Sequence, residues 1–323
     1  MVPVLGIDIA KATCALALER PDGKVQHKSV PNTPDGHARL VTWLAQHAGG
    51  PVHACLEATG PYGDAVALAL VDAGHTVSIV NPAAVAAYAR SELRRAKTDR
   101  TDADVIRRFC AAQQPRPWVP PAPEVRTLQA LARRVVAVEA MRQQEANRLA
   151  AYQPHDAVRQ SIAAVLADLT AEVARLRQLI HDHIDQHPGL RTQRDLLTSI
   201  PGIGDITATT LLAELFAPRP GLSVRQLVAS AGLAPRVCHS GTSVHHRGRL
   251  SPLGSRRLRK ALYFPALAAL RHNPVVQALA HRLTAAGKPK MVIVAAAMRK
   301  LLHLAFGVLK SSQPFNPAIA LNH

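Results

Sequence analysis

Asp99 and Asp102 stand three residues apart in KTDRTDAD, residues 97 to 104. On a helix they share a face, while Asp104 points elsewhere and reads as a solvated residue. Two other carboxylates sit where strands are expected: Asp8 in the run VPVLGIDI, and Glu57 at the end of the apolar run VHACLEA. Sites in open α/β sheets form at strand ends, so the four groups can meet in one cleft. Together they would raise each other's pKa unless cations compensate them. Mg²⁺, which favours oxygen ligands and assists phosphodiester cleavage, suits that set. Plainer roles remain open: Asp99 can cap its helix, Asp8 can serve a turn or a hydrogen bond, and Glu57 after a buried run needs a partner of some kind.

A nucleophile is offered elsewhere. Ser240 lies in CHSGTS, followed by HHRGR and GSRRLRK. A Ser-Gly step in an irregular loop exposes the hydroxyl, and Arg247, Arg249, Arg256 and Arg257 can clamp a phosphate beside it. Such a serine can attack phosphorus and hold it as a phosphoserine ester. Ser243, Ser251, Ser255 and Cys238 compete by position alone. At IPGIG, Gly202 and Gly204 can turn backbone N–H groups toward a phosphate oxygen, in a segment that resembles a helix-hairpin-helix; a plain helix connection fits the same residues.

The elements that must carry these groups follow from pattern. Strands are expected at 2–9 and 12–19, near VQHKSV, at 52–58 and at TVSIV, with helices at 35–47, near PAAVAAYAR and at 99–112. Three strands as a meander, then alternating helices and strands, predict an α/β domain with a mixed sheet, in an order that matches a ribonuclease H-like fold. QQPRPWVPPAP, residues 113 to 123, reads as a linker. Leu128, Leu131, Val135 and Val138, then Val158, Ile162, Val165, Leu169, Val173, Leu176 and Ile180, recur at helical spacing. They predict two long helices, as an antiparallel hairpin, a coiled coil or ordinary core helices. Residues 222 to 310 read as mainly helical, interrupted by the irregular segment HSGTSVHHRGRLSPLGS. The division expected is 1–115, 116–188 and 189–323.

Charge bounds the partner. The chain of 323 residues has 39 Lys and Arg against 22 Asp and Glu, a net charge of +17. After Glu214 it has no carboxylate side chain but sixteen Lys or Arg. That balance points to nucleic acid rather than a membrane. The most apolar stretch, MVIVAAAMRKLLHLAFGVL, is interrupted by Arg299, Lys300 and His303, and no signal peptide is evident, so a cytoplasmic protein is expected. Its four scattered cysteines lack zinc or disulfide spacing.

Taken together, GIDIAKAT, CLEATGPY, VNPAAVAAYARSELRRAKTDRTDADVI, IPGIG, GLAPRVCHSGTS and KPKMVIVAAAMRKLLH resemble the DEDD-type transposases of the bacterial insertion-sequence one-ten family, bridge-RNA-guided serine recombinases. The resemblance covers nearly the whole chain. It implies a RuvC-like N-terminal domain whose Asp-Glu-Asp-Asp set falls on Asp8, Glu57, Asp99 and Asp102 and holds Mg²⁺. It also implies a C-terminal transposase domain with Ser240 as nucleophile, the two completing a composite active site. Donor and target DNA, a structured bridge RNA, and dimers pairing into tetramers would be the partners. The alternatives are a nuclease or junction resolvase using the carboxylates alone, and a non-enzymatic nucleic-acid organiser.

Overall fold

The computed structural model describes residues 2–58, 60–92, 98–151, 156–215, 223–240, 244–250 and 253–318; at Pro61, Asp99, Asp156, 236–240 and 244–249 it describes the backbone alone. The chain divides into two compact units, Met1–Pro120 and Pro121–His323.

The first unit is built on a five-stranded mixed sheet. Its strands are β1 (Val4–Ile9), β2 (Thr13–Glu19), β3 (Val25–Pro31), β4 (His53–Glu57) and β5 (Thr76–Val80), in the order β3-β2-β1-β4-β5. The first three form the expected antiparallel meander; β4 pairs parallel with both β1 and β5. Alternation along the strands sends two different sets of side chains to the two faces. Leu5, Ile7, Leu16, Leu18 and Leu56 pack with Leu40, Trp43 and Leu44 of α1 (Pro34–His47) and with Val66 and Leu70 of α2 (Asp64–Asp72). On the opposite face Cys55 and Val80 meet Val85 of α3 (Pro82–Ser91) and Val105, Ile106 and Phe109 of α4 (Asp99–Gln113). The result is a helix–sheet–helix sandwich.

The segment read as a linker is partly tied down. Trp118 donates its N–H to the Val77 carbonyl at 2.6 Å, and the buried Ser78 hydroxyl lies 2.9 Å from the carbonyls of Pro115 and Arg116. Residues 115–118 thus run along β5 and belong to the first unit. Its proline content excludes a helix but not a strap whose backbone is anchored at a few points.

Among the described residues, the regular structure of the second unit is helical apart from one hairpin. Helices α5 (Pro123–Ala151) and α6 (Asp156–Gln186) lie antiparallel, since Arg177 pairs with Glu139 and His183 reaches the Glu124 carbonyl at 2.8 Å. Val138, Val173 and Leu176 seal the middle of this pair. Its base shares a larger core with α7 (Pro188–Thr198), α8 (Asp205–Leu215), α9 (Val224–Ser230), α10 (Arg256–His272), α11 (Pro274–Ala285) and α12 (Lys290–Ser311). By length and composition α12 could cross a membrane; here Val294, Met298, Leu301, Leu302, Ala305 and Val308 of that helix are buried in the core.

Within the segment 239–255, read as irregular from the sequence, residues 241–243 and 251–252 lie outside the described ones, and 239–240 and 244–250 are strand. β6 (Pro235–Ser240) and β7 (Val244–Leu250) form an antiparallel hairpin, with a register shift between Arg236 and Cys238. Basic and polar residues hid the strands, because neither face shows the apolar alternation that marks a half-buried strand.

Candidate active site

Asp8 and Glu57 fall on neighbouring strands. The parallel register runs Gly6↔Cys55 and Ile7↔Leu56, and one further step sets Asp8 beside Glu57. Across the antiparallel side Asp8 faces Ala15, which in turn faces Ser29. Ser29, Ala15, Asp8 and Glu57 therefore form a row across four strands. Side chains alternate along a strand, so this row shares the face of Gly6 and Cys55, the face that α4 covers.

Gly6 is the reason α4 can lie so close. A Cβ at that position would come 2.1 Å from the Ala103 carbonyl oxygen and 2.4 Å from the Arg107 nitrogen. A glycine inside a strand often marks such a backbone approach. At the other end of the helix the Cys110 thiol points to the His53 carbonyl at 3.9 Å, where β4 begins. The helix therefore runs antiparallel to β1 and β4. Its first turn, bearing Asp99 and Asp102, stands toward the C-terminal ends of those strands, where Asp8 and Glu57 are.

Asp99 is not the helix cap. Thr98 takes that position, accepting from the Thr101 N–H at 3.2 Å while Thr101 Oγ1 accepts from the Thr98 N–H at 2.8 Å. This leaves Asp99 in the first turn, with its side chain outside the described residues. Asp102 is half-buried.

Asp104 departs from expectation. Its carboxylate accepts from Arg107 at 2.9 Å and lies 3.2 Å from Arg108. Arg107 also pairs with Glu19 of β2 and is 8% exposed, and Arg108 reaches Glu92 at the end of α3. The residue read as solvated is the hub of an ion-pair network that fastens α4 to β2 and α3. The i, i+3 and i, i+4 spacing to two arginines was the available signal.

All the donors in this set are carboxylate oxygens, the chemistry of a hard divalent cation. Among the described residues, no three His, Cys, Asp or Glu are gathered closely enough to hold a metal ion. Asp8, Glu57 and Asp102 thus share an edge without closing on a common point. The charge of Asp8 is felt locally: burial, with that charge adding to it, pushes the Cys14 thiol up to about 11.

In the second unit Ser240 is the last residue of β6, opposite Val244; residues 241–243 lie outside the described ones. For Ser240, Arg247 and Arg249 the strand positions are known and the side chains are not described. The two ends of the hairpin are joined by glycines that the sequence did not single out. Gly254, at φ +108°, would place a Cβ 2.4 Å from the Gly232 nitrogen, and Ser255 donates its N–H to the Ser230 carbonyl at 2.7 Å. Ser255 then caps α10 by accepting from the Leu258 N–H. Arg256 and Arg257 follow in its first turn, both exposed, with Arg257 paired to Glu214 at 3.2 Å. At the turn between α7 and α8, Gly202 (φ +102°) abuts α10, where a Cβ would meet that of Ala269 at 2.8 Å, while Gly204 is open. Packing thus gives Gly202 a reason of its own.

Comparison with known proteins places this architecture. Residues 5–152 match the transposase family DEDD_Tnp_IS110, and residues 194–281 match the transposase family IS116/IS110/IS902. The pilin gene-inverting protein of Moraxella bovis is 32% identical over 327 aligned positions that cover 98% of each chain. The chain belongs to the IS110 family of transposases. The pilin gene-inverting protein of Moraxella lacunata is likewise 32% identical, with 98% of each chain covered. The insertion element IS110 uncharacterized 43.6 kDa protein of Streptomyces coelicolor is 30% identical over 156 residues, 48% of this transposase and 37% of that protein. The chain is accordingly a DNA-rearranging enzyme with DNA as its substrate.

Proposed function

We propose that this transposase cuts and rejoins DNA through Ser240, with Asp8, Glu57, Asp99 and Asp102 holding a divalent cation and a structured bridge RNA selecting the DNA sites. The observation that carries the reading is the seating of α4 over Gly6, which brings an aspartate-bearing first turn to the strand edge of Asp8 and Glu57. Strand order and helix placement support a RuvC-like reading of the first unit. Bound to these oxygens, Mg²⁺ would supply Lewis-acid polarisation of a scissile phosphate.

Ser240 attacks phosphorus in this scheme. The Oγ–P bond forms, the bond to the leaving deoxyribose oxygen breaks, and that oxygen takes a proton as the serine gives one up. The phosphoserine ester keeps the bond energy for rejoining. Arg247, Arg249, Arg256 and Arg257 hold phosphate oxygens, with Gly204 offering its backbone N–H. Relatives named for inverting a pilin gene suit such chemistry, because inversion needs every cut end rejoined. Dimers pairing into tetramers would bring the required DNA ends together.

Trapping the intermediate tests this. Ser240→Ala and Asp8→Asn should both retain DNA binding and both lose the protein–DNA adduct on a denaturing gel. Recombination by the Ser240→Ala protein, or an adduct mapped to Ser243 or Cys238, would overturn the assignment.

A further inference from the structure

Beside the carboxylate row the first unit has two adjoining cavities, of about 390 and 360 Å³, that share His27 and Arg100. Asp104, Arg107 and Arg108 help line one; Ala15 and Ser29 help line the other. Ala15 is the partner of Asp8 across β1 and β2, and Ser29 is one strand further. Two strand steps span about 10 Å, the rise of about three nucleotides along one DNA strand.

Charge in these cavities is not fully committed. Arg107 and Arg108 are taken up by Asp104, Glu19 and Glu92. Arg100 is exposed and has no carboxylate partner among the described residues. His27 lines both cavities and is half-buried, with its Nδ1 shut off from solvent. Burial, with the charges of Arg100 and Arg107 adding and the Asp104 charge and a hydrogen bond to the Leu16 backbone opposing, lowers the His27 pKa. His27 thus adds little charge to the lining, and of the two cations beside it Lys28 lies over the Trp43 ring, which leaves Arg100 as the exposed positive charge.

We propose that Arg100, with His27 and Ser29, forms a phosphate subsite that holds a DNA backbone phosphate flanking the one cut at the carboxylate row. The subsite rests on the proposed function, since it takes its meaning from Asp8 and Glu57 meeting the scissile phosphate. It gives the acidic edge a neighbouring cation that keeps the strand in place without neutralising the carboxylates.

The test uses the full chain and a duplex DNA oligonucleotide titrated at several salt concentrations. Arg100→Ala should weaken binding about tenfold and reduce the slope of log affinity against log salt by about 0.9, the equivalent of one phosphate. Arg100→Lys should keep the slope. In a scan of single methylphosphonate substitutions, one position that weakens the wild-type protein should leave Arg100→Ala unaffected. Unchanged affinity and slope, or loss of affinity for an RNA duplex alone, would overturn the subsite. The two readings fail separately. If Asp8→Asn still forms the adduct, the catalytic reading fails while the Arg100 slope still measures phosphate binding at the subsite; if Asp8→Asn loses the adduct and Arg100→Ala binds as wild type, only the subsite fails.

Discussion

Asp104 holds two arginines at once, and the position of α4 depends on it. Removing its carboxylate leaves Arg107, 8% exposed, with Glu19 as its one carboxylate among the described ion pairs and draws Arg108 toward Glu92 alone. Asp104→Ala should therefore cost about 1–3 kcal/mol, read as a lower urea midpoint for the first unit. Gly6→Ala should cost at least as much, because the added Cβ meets helix backbone at 2.1 Å and only movement of α4 can relieve it. The carboxylates themselves were legible in the sequence as types and spacings. What anchors them was not, because a glycine that admits a helix and an aspartate that ties one down do no chemistry and draw no notice in a search for reactive groups.

At the scale of elements, apolar periodicity located most of the fold. The strands of the first unit and the long helices of the second lie close to their expected ranges, since burial wrote their pattern. The β6–β7 hairpin escaped because its sequence carries basic and polar residues without the apolar alternation of a half-buried strand. Its geometry is set at the base, where Gly232 and Gly254 cross. Gly254→Ala adds strain at φ +108° and a Cβ 2.4 Å from the Gly232 nitrogen, so the strands must splay at their Pro235–Leu250 end, and the disturbance reaches Ser240 along β6. The expected outcome is faster hydrogen exchange at the amides of residues 235–250 and loss of the DNA adduct. The melting of the first unit should stay as in wild type. Adduct formed at the wild-type level would show that the crossing does not position the serine.

For the molecule as a whole, charge and core divide the chain at different places. The carboxylate-free stretch begins after Glu214, but the core of the second unit already includes Val125, Leu128, Ile180 and Ile184. A fragment starting at residue 215 would expose that core, so the phosphate-binding role of the C-terminal charge has to be tested in the full chain. The solvent face of α10 is the place to do it. Arg256, Lys260 and Arg271 are exposed there, and Arg257 is partly neutralised by Glu214, the last carboxylate side chain in the sequence. If this face lies on DNA phosphate, changing Arg256, Lys260 and Arg271 together to Gln should lower the salt slope by up to about 0.9 for each phosphate no longer neutralised. Glu214→Gln should do the opposite, freeing Arg257 to bind phosphate, tightening DNA binding and steepening the slope. Opposite responses from two charge changes in one unit cannot come from general destabilisation, which weakens binding in both. An unchanged slope in the triple variant would place the DNA elsewhere on the transposase.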